Sequence, residues 1–116
     1  MNDHRKLEAF QLADQLVVGV YRATKNFPTS EQYGLTSQMR RCAVSVAANI
    51  VEGCGRRSRK DYVRFLDIAF ASARELGYFI DLAPRLALID DGDIEEVRVL
   101  QGRTAAALAA LIRSLR

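Results

Sequence analysis

Only two prolines, Pro28 and Pro84, interrupt this chain of 116 residues. Proline breaks helices, so the rest of the chain is free to run in long helical stretches. Apolar residues recur at spacings of three and four, and strand-like alternation is absent. The chain length is that of one domain, here residues 1–116, and folding it buries about two-thirds of the unfolded surface. Hydrophobic residues at 49% and charged residues at 27% exclude intrinsic disorder.

The spacing predicts four helices, at about 3–25, 35–52, 59–82 and 93–115. The first carries a stripe of Leu7, Phe10, Ala13, Val17, Val20 and Thr24, and stops at Asn26-Phe27-Pro28. Thr29-Ser30-Glu31-Gln32 has capping-box form and suits a short turn ending at Gly34. Gly53 and Gly55 close the second helix, with the chemistry of a left-handed cap. Ser58-Arg59-Lys60-Asp61 opens the third in another capping-box pattern, and Pro84 is expected to kink or end it. Asp93 is the expected N-cap of the fourth, which continues through an alanine-rich run from Ala105 to Ala110. Short links between four helices imply an all-α, antiparallel up-down-up-down four-helix bundle.

Several classes of function are disfavoured. Cys42 and Cys54 lie twelve residues apart in one predicted helix, which separates them by about 18 Å, too far for a disulfide. With one histidine, His4, and no CxxC, no metal is expected, and no cofactor. Free thiols suit the cytoplasm. The stretch MNDHRKLEAF has no apolar core of a secretory signal, and no apolar run is long enough to span a membrane. No Walker motif, Gly-rich dinucleotide loop, HExxH or catalytic triad spacing occurs. The expectation is a protein that is not an enzyme.

On a helical wheel, the apolar residues of the third helix spread over about 200°, against the roughly 100° a bundle helix needs. Val63, Ile68, Phe70 and Phe79 are therefore candidates for contact with another subunit. The second helix carries a narrow polar seam. Gln38, Arg41, Ser45, Asn49 and Glu52 fall within about 80° of one another. Two readings stay open for it: a hydrogen-bond network that fixes helix register or subunit geometry, or a site for ligand or nucleic acid. Catalysis is disfavoured, because Ser45 has no histidine at helical spacing and Glu52 no carboxylate partner on its helix.

The net charge of +3 hides an asymmetry. Arg40, Arg41, Arg56, Arg57, Arg59, Lys60 and Arg64 face only Glu52 and Asp61, so residues 40–64 carry +5 and the remainder −2. The start of the fourth helix, with Asp90, Asp91, Asp93, Glu95 and Glu96, is acidic. An up-down bundle places the turn between helices two and three at one end, with the chain termini, and the turn between three and four at the other. The molecule is expected to be polarised along its axis. Arginines beside a helix N-terminus suit phosphate. A solvated loop, a nucleic-acid contact and an acidic protein partner are the three readings of this turn. No base-reading motif is present, so a nucleic-acid contact would be to backbone or shape.

One family resemblance is specific. The segments Phe10-Gln11-x-Ala13, Val20-Tyr21, Phe27-Pro28, Glu31, Tyr33-Gly34-Leu35-Thr36-Ser37-Gln38, Arg40-Arg41-x-Ala43-x-Ser45-Val46, Asn49-Ile50-x-Glu52-Gly53, Gly55-Arg56 and Phe65-Leu66-x-Ile68-Ala69 stand in an order that resembles the bacterial 23S rRNA intervening-sequence family. The likeness runs from about residue 7 to 89 and is most specific from Gly34 to Gly55. It implies a left-handed antiparallel four-helix bundle assembling as a homopentamer. The family is also similar to the accessory variability protein of diversity-generating retroelements, a basic pentameric barrel that binds nucleic acid and a reverse transcriptase. Arg40, Arg41, Ser45, Asn49, Glu52, Gly53, Gly55 and Arg56 are signature positions by this resemblance. Phe10 stands where members commonly carry Trp, while Ser72-Ala73-Arg74-Glu75-Leu76 keeps a third-helix signature. The fourth helix has fewer lysines than the retroelement protein would need.

The leading expectation is a homo-oligomer that binds RNA or DNA through pooled basic patches. The alternative is a scaffolding module for a protein partner, such as a polymerase or a ribosomal component, without nucleic acid.

Overall fold

The computed structural model describes residues 3–116; residues 1 and 2 of the expected 1–116 domain lie outside the described part. Four helices form the molecule: α1 (Glu8–Thr24), α2 (Leu35–Cys54), α3 (Arg59–Arg85) and α4 (Asp91–Leu115). Short 3-10 turns stand before α1, at His4–Lys6, and before α2, at Thr29–Glu31. Each helix packs against two neighbours, α1 on α2 and α4, α3 on α2 and α4, and the diagonal pairs make no close backbone approach. The result is an antiparallel up-down-up-down bundle, 44 × 23 × 19 Å in extent. No helix among the described residues is long and apolar enough to cross a membrane.

The helix boundaries depart from the sequence reading in ways that local chemistry explains. The segment from Asp3 to Leu7 is not part of the first helix. Asp3 caps its own 3-10 turn by accepting from the Arg5 amide at 3.1 Å, and Leu7 is extended at φ −80°, ψ 129°. Thr29 and Gln32 do not form a box. Instead Glu31 reaches forward, and its Oε1 accepts from the Leu35 amide at 3.0 Å, filling one of the open donors at the start of α2. A side chain on Gly34 would meet that carboxylate oxygen at 2.8 Å.

Helix α3 continues past Leu82 through Pro84, which removes one amide donor to the i−4 carbonyl, and the helix ends one residue later at Arg85. The chain then leaves in a Schellman motif, with the Leu88 amide donating to the Ala83 carbonyl and the Ala87 amide to Pro84. Asp90, not Asp93, stands at the N-cap of α4.

The core forms two layers. One holds Leu16, Val20, Met39, Leu76, Ile80 and Ile94, with Leu12, Leu35 and Val97 beside them. The other, nearer the chain termini, is built with small residues, Ala9, Ala13, Ala69 and Ala73, around Val46, Ile50, Leu66, Leu108 and Ile112. In α1 the buried stripe is Ala9, Leu12, Ala13, Leu16, Val20 and Thr24. Leu7, Phe10 and Val17 from the predicted stripe lie on its flanks, only partly buried. The apolar arc of α1 is wide enough for either face, and the position of its two neighbours selects between them. Thr24 sits fully inside because its hydroxyl donates to the Val20 carbonyl at 2.8 Å.

Candidate nucleic-acid interface

The basic residues of the turn between α2 and α3 converge at the end of the bundle that also carries both chain termini. Glycine makes this corner possible by lack of bulk and not by left-handed backbone. No described glycine has positive φ, and Gly55 is right-handed at φ −83°, ψ −7°. Gly53 lies inside the last turn of α2. A Cβ there would stand 3.1 Å from Phe65 Cβ and 3.3 Å from the Tyr62 carbonyl oxygen. The expected left-handed cap is thus replaced by close packing of α2 on α3.

Ser58 opens α3, and its hydroxyl accepts from the Asp61 amide at 3.1 Å. Around this start the side chains are well placed. The Arg56 and Arg64 guanidiniums both stack on the Phe65 ring, at 4.6 and 4.7 Å from its centre. Stacking holds a planar cation in place while leaving its edge donors outward. Arg56 also pairs with Glu52, and Arg64 with Asp61 at 3.8 Å. Arg59 donates to the Leu115 carbonyl at 3.5 Å. Arg57 and Lys60 are exposed and have no ion-pair partner among the described residues.

The C-terminal end of α4 adds positive charge that segment counting leaves out. Arg116 pairs with Asp67 of α3 at 2.8 Å, and Arg113 is exposed beside it on the last turn. Arg5 and Lys6 enter from the N-terminal turn at the same end. These four residues are distant from 40–64 in sequence, so only the up-down topology could have revealed them.

Arg40 and Arg41 are elsewhere. Fourteen steps of helix separate Arg40 from Cys54 at the end of α2, just before the basic turn, about 21 Å along the axis. Arg40 is committed to the α1–α2 contact: its Nε donates to Thr24 Oγ1 at 2.9 Å, and its guanidinium covers the Tyr21 ring at 4.6 Å. Arg41 is exposed on α2.

The polar seam divides too. Ser45 and Asn49 join a network between α2 and α3: the Ser45 and Ser72 hydroxyls lie 2.8 Å apart, and Asn49 Nδ2 donates to the Ser45 carbonyl at 2.8 Å. Glu52 serves the basic turn through Arg56, and Gln38 is exposed. Beside the seam, the Cys42 thiol donates to Glu75 Oε1 at 3.0 Å. Burial, with the Glu75 carboxylate next to it, pushes this thiol up to about 12. The apolar residues flanking α3 are placed as follows. Val63 and Phe70 lie partly buried against the layer near the termini, and Phe79 against the other. Ile68 is 40% exposed. The bundle itself therefore covers most of the broad apolar arc of α3.

A family model for the 23S rRNA-intervening sequence protein matches residues 5–110. The chain belongs to this family. A solved structure from Bacteroides thetaiotaomicron VPI-5482, a protein of unknown function from the S23 ribosomal protein family, has the same fold. It superposes with a TM-score of 0.83 at 23% identity, covering 90% of this chain and 95% of that one. No curated protein matches. The matched span takes in the whole basic turn, the seam and nearly all of α4. Arg113 and Arg116, which extend the basic end, lie beyond it.

Proposed function

We propose that this intervening-sequence family member is a non-enzymatic, cytoplasmic homo-oligomer that binds RNA or DNA through the sugar-phosphate backbone. The observation that carries this reading is the basic end: Arg57, Lys60 and Arg113 exposed without ion-pair partners among the described residues, beside Arg56 and Arg64 pre-oriented on Phe65. Ordering a long side chain on binding costs about 0.5–1.5 kcal/mol, so cations already held on a ring bind phosphate with less loss. The start of α3 adds backbone donors and the positive end of a helix dipole. One such end is a weak site. Assembly into a ring, a pentamer by the family resemblance, would repeat it around an axis and raise avidity without new contacts.

The test is fluorescence anisotropy with a labelled RNA and a DNA of the same sequence. Affinity should fall steeply between 50 and 200 mM salt, by about 0.9 in log–log slope for each phosphate contact on duplex DNA. Arg57→Glu with Lys60→Glu should weaken binding about tenfold or more. Light scattering should give a mass several times that of the 13.0 kDa chain. Salt-insensitive binding, or full affinity in the double variant, would overturn the reading.

A further inference from the structure

At the opposite end of the molecule, a groove of about 900 Å³ runs between α1 and the start of α4, floored in part by the turn after α3. Val18, Phe27 and Leu88 supply apolar floor, and Val18 is 45% exposed. Asp14, Asp90, Asp93 and Glu96 line it, with Arg22 as the one cation.

These four carboxylates differ from the others in the chain. Asp3, Glu52, Asp61, Asp67, Asp81, Asp91 and Glu95 each pair with an arginine. Glu31 caps α2, and Glu75 accepts from Cys42. Outside the groove only Glu8 lacks such a partner among the described residues. The helix dipole accounts for Asp90 and Asp93, which stand in or beside the first turn of α4. It does not account for Asp14, midway along α1, or for Glu96.

We infer that this groove docks a basic amphipathic segment of a partner protein. Its apolar face would lie on Val18, Phe27 and Leu88, with lysines or arginines against the four free carboxylates. Length fits: from Asp14 to Thr24 the groove follows about 15 Å of α1, and the turn at Phe27 extends it, which suits a helical segment of about three to four turns. The volume suits the side chains of one helix face and is far too large for a lone cation. A second copy of this chain is a poor occupant. Its basic turn, Gly55-Arg56-Arg57-Ser58-Arg59-Lys60, offers no apolar side chain to the floor. Nucleic acid is repelled by the rim. The inference does not depend on the proposed nucleic-acid role of the other end.

The test uses synthetic helical peptides of about 14 residues, one of Leu and Lys and one of Leu and Glu, titrated calorimetrically into the full chain. The Leu/Lys peptide should bind and the Leu/Glu peptide should not. Asp93→Lys with Glu96→Lys should cost about tenfold or more in affinity, and Glu8→Lys less than about twofold. Val18→Ser should weaken the peptide about threefold and leave spermine binding unchanged. All four substituted residues are exposed or on the rim, and circular dichroism checks that the helices persist. No binding of the Leu/Lys peptide would overturn the inference. So would equal losses from Glu8→Lys and the groove variants. Indifference to Val18→Ser would reduce the groove to a cation site and overturn it as well.

Discussion

Ala87 is the described non-glycine residue with positive φ, at 59°. It stands at the position of the Schellman motif after α3 where glycine is usual, and its Cβ crowds the carbonyl. Ala87→Gly should therefore raise stability by about 0.5–1 kcal/mol in urea unfolding, even though glycine also frees the unfolded chain. A loss of stability would mean that the Ala87 methyl contributes more by packing than its backbone costs. Cys42 gives a second expectation at this scale. Its thiol is raised to about 12 from an ordinary value of 9.0, first by burial and then by Glu75. At pH 8 its thiolate population is lower by roughly a thousandfold, so iodoacetamide should label the native protein there far more slowly than the unfolded one. The same shift fixes a sign for stability. Between pH 9 and 12 the unfolded chain loses this proton and the folded chain keeps it, so Cys42 makes stability fall as pH rises through that window. Urea midpoints that stay level from pH 8 to 10.5 in the parent and in Cys42→Ala alike would contradict this.

At the scale of the elements, the corner between α2 and α3 separates two glycines that look alike in sequence. Gly53→Ala places a methyl against Phe65 Cβ, Tyr62 and the Tyr62 carbonyl, none of which can move without shifting α3. It should cost about 1–3 kcal/mol, as overpacking does. At Gly55 the nearest atom to a new Cβ is the Glu52 carbonyl oxygen at 3.5 Å, and the backbone is right-handed. Gly55→Ala should fall within about 0.5 kcal/mol of the parent, or stabilise. Chemical unfolding of both variants decides it, and equal losses would restore the left-handed cap. Sequence reasoning placed the four helices because a period of 3.6 records burial directly. It misjudged how they end, because a cap depends on which amide lacks a partner in space. Glu31 displaced the Thr29 box in this way. At α4 the backbone alone moved the start, since the Asp93 and Ile94 amides already donate to the Asp90 carbonyl and no side chain caps them. The roll of α1 was beyond the sequence for a related reason: Leu7, Phe10 and Val17 are apolar, and only the placement of α2 and α4 turns them to the flank.

For the whole molecule, the fold changes which charges belong together. Counting along the chain grouped Arg40 and Arg41 with the basic turn, since all lie within residues 40–64. Along the bundle axis they stand about 20 Å away. Arg113 and Arg116 were left out of that count, yet the last turn of α4 touches the turn through Arg59 and Asp67. The two groupings make opposite claims about nucleic-acid affinity. If the basic end binds phosphate, Arg113→Glu with Arg116→Glu should weaken binding about as much as Arg57→Glu with Lys60→Glu, tenfold or more, and should flatten the salt dependence. Arg41→Glu should change affinity by less than about threefold, because at that distance its charge is screened at physiological salt. Stability should be little altered, since the Arg116–Asp67 pair is exposed and worth at most about 1 kcal/mol. Anisotropy titrations of the three variants at one salt concentration rank them. If Arg41→Glu proves the most damaging and the α4 variant neutral, the binding surface lies along α2 and not at the end where the termini meet.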